Sequence, residues 1–278
     1  MFGLFGKRSG KAFKSTRPEP TYEMSDGPVI GYVLLREAVS REQIVEVLND
    51  HISDDEVFEW DAADDDTVAC TINGLWVPIS LTDAPFPGGE AQGALHPVFA
   101  GDNPEAIEQH HSFLLVAGMP GISKGDSDDG APLSHLDAVI NHVQIVRGLL
   151  RLEEAVGYYS GDVGTTYGKE PYLEITEAEN PLAAAFLAPV WIGQREDGAW
   201  NASSTGLMKL GIPEIQVVGS TCDPDDLFSY LMDIVGYLLG GARIRAGETL
   251  GRDENEKIMT SWQPSIVDEE ETALQLEM

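Results

Sequence analysis

The stretch VIGYVLLREAVSREQIVEVLND, residues 29–50, decides the fold class. Its first nine residues form a largely apolar run of strand length, which reads as a buried strand. The following VSREQIVEVLND carries a complete helix-start signature: Ser40 caps, Gln43 reaches back to it, and Val39 staples onto Ile44. Ile44, Val47 and Leu48 then supply the buried stripe. Downstream, DDEVFEWDAADDDTVACTINGLWVPISL divides into two or three strands, with Asn73-Gly74 as a hairpin turn between VACTI and LWVPISL. Strand, helix, strand, strand is half of a ferredoxin-like layer, so the chain reads as α+β.

The order partly repeats. PEAIEQ is a short helix and HHSFLLVAG a strand; GISKGDSDDGAP is a loop, and SHLDAVINHVQIVRGLLRLEE a helix opened by Ser134 and Asp137. AVGYYSG and AAAFLAPVWIG are further strands. A third unit follows, the strand PEIQVVG and then the helix DPDDLFSYLMDIVGYLLGG. Asp223 caps that helix, Pro224 occupies its first turn, and Asp225 and Asp226 suit the positive end of its dipole. Leu227, Leu231, Ile234 and Leu238 define its apolar face, and Gly240 or Gly241 supplies the left-handed stop. A short apolar strand is expected next. The expected architecture is an antiparallel or mixed sheet with helices on one side, as two ferredoxin-like halves sharing an extended sheet. Residues 1–27 read as a flexible basic arm and 28–266 as the body, with halves at 28–120 and 131–266. Residues 267–278 read as a solvated acidic tail.

The 278 residues carry a formal net charge of −30, which repels nucleic acid and anionic lipid and favours basic partners, a basic protein among them, or cations; the alternative reading is that the acidity serves solubility. The charge is uneven. Residues 1–20 hold Lys7, Arg8, Lys11, Lys14 and Arg17 against Glu19 alone, leaving 12 basic and 46 acidic residues for the remainder. No apolar run approaches the ~20 residues of a membrane span. The basic residues of MFGLFGKRSGKAF follow its apolar ones, the reverse of a secretory signal. Cys70 and Cys222 lack the spacing of a zinc or disulfide framework and read as reduced thiols of a cytoplasmic protein.

Motifs for chemistry are incomplete. GISKG places Ser123 in a G-x-S-x-G, but an acidic, glycine-rich loop follows where a nucleophile elbow needs a helix. GTTYGKE misses a phosphate loop by one residue of glycine spacing, and Glu170 replaces the magnesium-binding Ser/Thr. His110 and His111 begin a strand, while His135 and His142 lie two helical turns apart. One of the first pair with the second pair makes a conceivable metal site, without H-E-x-x-H spacing behind it. Glu248, Asp253, Glu254 and Glu256 crowd together but lack the calcium-loop order. Gly247, Gly251 and Thr249 read as turn chemistry. No catalytic residue and no cofactor is predicted; Glu214, Glu248, Thr249 and Asp253 are the candidate functional turn.

STGLMKLGIPEIQVVGS, the helix with its sequel LFSYLMDIVGYLLGGARIRAGETLG, and EKI resemble the bacterial family catalogued as domain of unknown function 4261. That family pairs a G-L-x-x-x-G-x-P-E-[IL] element with a helix and a G-x-T-[IL]-G turn. The resemblance spans about residues 203–260, with Glu248 where an aspartate is expected. It implies a bacterial, cytosolic protein and supplies no catalytic residues. Two expectations stand. The first is a non-enzymatic protein-binding or accessory module with an acidic surface, such as a toxin-immunity or secretion-system accessory protein. The alternative is a metal-dependent enzyme built on the histidines.

Overall fold

A computed structural model describes residues 14–52, 56–61, 67–121, 133–177, 181–252 and 256–278. Contacts divide the chain into two compact units. One is Ser25–Asn180, and the other is Pro181–Met278 with the N-terminal stretch up to Met24. The boundary lies later than the break expected between residues 120 and 131, because the helix after that break packs back on the first sheet.

The first unit contains β1 (Val29–Leu35), α1 (Arg41–His51), β2 (Phe58–Asp61), β3 (Thr67–Ile72) and β4 (Leu75–Thr82). The single turns α2 (Glu90–Gly93) and α3 (Glu105–Glu108) come next. β5 (Ser112–Gly118), α4 (His135–Leu149), β6 (Ala155–Ser160), β7 (Thr165–Gly168) and α5 (Lys169–Glu177) complete it. The sheet order is β2-β3-β4-β5-β1-β6-β7, with antiparallel neighbours throughout. Within it, β1-α1-β4-β5-α4-β6 takes the spatial order β6-β1-β5-β4, the strand order of one ferredoxin-like layer. β2 and β3 extend that layer at one edge and β7 at the other.

Local chemistry accounts for these elements. Ser40 Oγ accepts from Gln43 N–H, and Gln43 Oε1 accepts from Ser40 N–H, as expected for the capping box of α1. Val39 and Ile44 are both buried. Asn73 (φ 46°) and Gly74 (φ 86°) are left-handed, as a type I′ hairpin requires. Asn73 does more than turn the chain: its side chain accepts from Val57 N–H at 3.0 Å and donates to Glu56 and to Asn141 of α4. The hairpin tip is thereby tied to β2 and to the helix layer. Gly31 and Tyr158 face α4, with the Tyr158 ring 6.1 Å from that of His142. On the opposite face, Leu34 and Tyr159 pack with Ala91 of α2 and Ile107 of α3.

The second unit contains β8 (Val190–Gln194), β9 (Trp200–Ser204), β10 (Ile215–Ser220), α6 (Pro224–Leu239), β11 (Thr249–Leu250), β12 (Ile258–Pro264) and β13 (Thr272–Leu276). Its strand order is β11-β12-β13-β10-β9-β8, with β10 and β13 parallel and the other pairs antiparallel. Asp223 caps α6 by accepting from Asp225 N–H, and Leu227, Leu231, Ile234 and Leu238 are buried. The left-handed stop is Gly241 (φ 90°); Gly240 stays near helical at φ −70°.

Several expectations are corrected. The sheets are two rather than one extended sheet, and the second unit does not repeat the ferredoxin-like order. Residues 181–186 form a 3₁₀ segment, so AAAFLAPVWIG is strand only from Val190. Extended pairing after α6 begins at Thr249, not directly behind Gly241. Residues 272–276 are not a solvated tail: Ala273, Leu274 and Leu276 are buried in β13, between β12 and β10. The acids Asp268–Glu271 conceal an apolar alternation that needs a neighbouring strand to become visible. The N-terminal stretch also has fixed partners, since Thr16 and Arg17 bond Trp262 and Met24 bridges Leu210.

Candidate functional site

The G-L-x-x-x-G-x-P-E-I element, Gly206–Ile215, folds around a buried carboxylate. Glu214 is 8% exposed, and it is the one buried acid among the residues whose burial is described. Ser204 Oγ donates to its Oε2 at 2.5 Å, and the N–H groups of Gly206 and Met208 donate to Oε1 at 2.7 and 3.2 Å. Ser204 Oγ in turn accepts from Ile215 N–H at 2.9 Å. The loop presents these donors because Gly206 sits at φ 114°, a region closed to most side chains. Gly211 (φ 72°) is required twice over, since a Cβ there would meet the backbone of Tyr22 and Met24 at 3.3 Å. Burial pushes the Glu214 carboxyl above its usual range, against the pull of the Ser204 hydroxyl and the Met208, Gly206 and Leu207 amides. Every recorded partner of this carboxylate is internal, so it organises the loop.

The turn that follows α6 has the same character. Glu248 closes its own turn, accepting from Arg245 N–H at 2.7 Å. Thr249 is buried with its hydroxyl 3.5 Å from the Met259 sulfur. Thr260 donates its hydroxyl to the carbonyls of Arg245 and Glu248, at 2.7 and 3.1 Å, and locks the turn onto β12. Glu256 pairs with Arg252, whose guanidinium lies 5.0 Å from the Tyr230 ring centroid. Asp253 and Glu254 lie outside the described residues. Of the candidate turn, the described residues serve different elements: Glu214 the β9–β10 loop, and Glu248 and Thr249 the edge of β12.

The histidines separate across the first sheet. His110 Nε2 accepts from Phe86 N–H at 2.8 Å, and its Nδ1 lies 2.5 Å from the Ile107 carbonyl, so both ring nitrogens serve backbone partners. His111 is exposed. His135 and His142 are buried along α4, beside the other face. His142 Nε2 donates to the Val116 carbonyl at 3.1 Å, and His135 Nε2 lies 3.8 Å from Asp162 Oδ2 in the β6–β7 turn. Burial holds the His142 imidazole below its usual pKa; the Val116 hydrogen bond and the Asp162 charge oppose that shift. Among the described residues no three His, Cys, Asp or Glu side chains come together in a way that could hold a metal ion. Strand and helix are consecutive, but His110 precedes β5 and is captured by the segment on the far face.

GTTYGKE also has a structural explanation. A Cβ on Gly168 would lie 2.4 Å from the Ala100 carbonyl oxygen, and Lys169 Nζ donates to the Leu152 carbonyl at 2.7 Å. The glycine admits a neighbouring backbone, and the lysine anchors the start of α5. Ser123 lies outside the described residues.

What distinguishes the exposed surface is charge. The acids whose burial is described, other than Glu214, are exposed or partly buried, while buried Thr and Ser side chains are largely spent on internal bonds. Two relationships escaped sequence reasoning. Asp162 joins His135 only through the tertiary fold. Lys14–Arg17 lie beside the acidic turn Asp268–Glu271, with Arg17 donating to the Glu269 carbonyl at 2.9 Å. The opposite charges of the two chain ends were the available signal for the second; nothing local signalled the first.

Residues 203–277 match the family described as Domain of unknown function (DUF4261). The match runs past the expected limit of residue 260 to include β12 and β13, the strands that complete the second sheet. No curated protein and no solved structure matches the chain.

Proposed function

We propose that this protein is a non-enzymatic binding module of the cytosol that meets a basic protein partner through its acidic surface. The carrying observation is the disposition of its carboxylates. Of those whose burial is described, one is buried and wholly engaged by its own loop, and the others are exposed or partly buried, Asp61 and Asp162 each with one oxygen buried. A surface of this sign raises the encounter rate of basic partners and repels nucleic acid and anionic lipid. Two free thiols, Cys70 buried and Cys222 exposed, suit a reducing compartment. Among the described residues no helix is long and apolar enough to cross a membrane. A toxin-immunity or secretion-accessory role is the class of biology in which a basic partner is masked in this way.

The test is direct binding with defined probes. Fluorescence anisotropy of labelled octa-arginine and octa-glutamate peptides is followed at about 50 mM and about 500 mM salt, where the screening length falls severalfold. Saturable binding of the basic peptide alone, weakened by salt, is expected. Equal binding of both peptides, or none of the basic one at low salt, overturns the reading.

A further inference from the structure

β12 presents two kinds of outer edge. From Ile258 to Thr260 it is covered by the chain before and within β11: Gly247 N–H donates to the Thr260 carbonyl at 2.8 Å, and Thr260 N–H to the Glu248 carbonyl at 3.2 Å. Two residues further, at Trp262, that cover has ended and the N-terminal stretch takes its place. Trp262 N–H donates to Ser15 Oγ at 3.0 Å, and its carbonyl accepts from Thr16 and Arg17 N–H at 3.0 and 3.3 Å. Gln263 Nε2 reaches the Lys14 carbonyl at 3.0 Å, and Thr16 Oγ1 donates to Gln263 Oε1 at 2.6 Å. The segment is basic and polar and bends at Thr16 and Arg17, with Lys14, Ser15, Thr16 and Arg17 all exposed. Beside it stand Asp268, Glu269 and Glu270, also exposed. The seated segment displays the recognition chemistry: main-chain bonds from an open strand edge, and positive charge beside an acidic turn.

We propose that the outer edge of β12 at Trp262, with the acidic turn Asp268–Glu271, is the docking site for an extended basic segment of a protein partner. That segment enters by displacing the chain's own Lys14–Arg17. The strap is suited to exchange. Its polar side-chain contacts are solvent-exposed and contribute little individually, and an incoming strand reproduces the bonds to Trp262 and Gln263 that it loses. The anchors that follow it, Tyr22 at Thr272 and Glu271 and Met24 at Leu210, do not bond Trp262 or Gln263. Displacement therefore requires release of a few residues and leaves the second sheet intact. The inference rests on the reading of a basic partner and gives it a location and a gate.

The test uses the full chain and a labelled peptide of residues 14–22, KSTRPEPTY, followed by anisotropy at low salt. Reversing the strap's charges with K14E/R17E should release the edge and tighten peptide binding about tenfold over the wild type. Adding D268K/E270K should abolish that gain. T16P, which deletes the Thr16 N–H bond to Trp262 and its hydroxyl bond to Gln263 without altering charge, should act in the same direction and serves if the charge reversal unfolds the chain. Equal affinity of wild type and both strap variants overturns the proposal. If octa-arginine binds all variants alike while the strap variants change nothing, this site fails and the acidic-surface reading survives. If no basic peptide binds, both fall. A concentration-dependent dimer of the wild type that T16P dissolves would place the strap on a second copy and also overturn the proposal.

Discussion

Removing the Glu214 carboxylate is the sharpest test of how the second unit holds its shape. In Glu214→Ala, the Gly206, Leu207 and Met208 amides lose their acceptor, a buried carboxylate. Each unsatisfied buried donor costs about 1–3 kcal/mol, and bonds to a charged acceptor are the stronger kind. The loss is partly offset, because the wild-type carboxylate already carries the desolvation penalty that raises its pKa. Ser204 keeps its bond from Ile215 N–H, so it does not add a full orphan. The net expectation is about 3 kcal/mol for Glu214→Ala and about 1–2 kcal/mol for Glu214→Gln, which keeps one acceptor but turns an amide toward donors. Urea unfolding reports it, followed by the fluorescence of Trp191, Trp200 and Trp262 in the same unit. An alanine variant within about 0.5 kcal/mol of wild type refutes the reasoning, as does a glutamine variant as damaging as the alanine one.

Three further outcomes follow from the first unit. Asn73→Ala should cost about 2 kcal/mol by urea unfolding, since it loses side-chain bonds to Val57, Glu56 and Asn141 and places alanine in a left-handed turn. Gly168→Ala should cost about 2 kcal/mol or more in thermal unfolding, because the added methyl meets the Ala100 carbonyl backbone rather than a side chain that can move. His142 has a depressed folded pKa, so the unfolded chain binds the extra proton first as pH falls below the ordinary value of 6.5. Its contribution is therefore present above that value and lost on acidification, with a slope of at most about 1.4 kcal/mol per pH unit. The stability gap between wild type and His142→Gln, from denaturant midpoints at pH 7.5 to about 5, should narrow as pH falls; a constant gap would contradict the assignment.

The candidate residues show where local reading stops. Ser40 with Gln43, Asn73-Gly74, Ser134 with Asp137, and Asp223-Pro224 all do in the fold what their spacing implies. Each acts within a few residues of itself. The histidines do not. The two-turn spacing of His135 and His142 places both along α4, but spacing carries no information on Asp162, which reaches them from the β6–β7 turn. Glu214 was marked by its motif as belonging to a functional turn with Glu248 and Thr249. The structure assigns these residues to separate loops, each with its own hydrogen-bond duties.

By itself the sequence determined the mixed class, the starts of α1, α4 and α6, the hairpin turn, the acidity and the likeness of the C-terminal segment to a family, because caps, turns, periodicity and composition are short-range quantities. Only the tertiary structure decided that the first unit holds one ferredoxin-like layer, that residues 272–276 form an interior strand, and that a basic stretch lies on the edge of β12. Strand order and edge pairing join residues as much as 246 positions apart, as Thr16 and Trp262 do. Their bonds are main-chain bonds that any sequence can make, so the partner is chosen by how the rest of the chain packs.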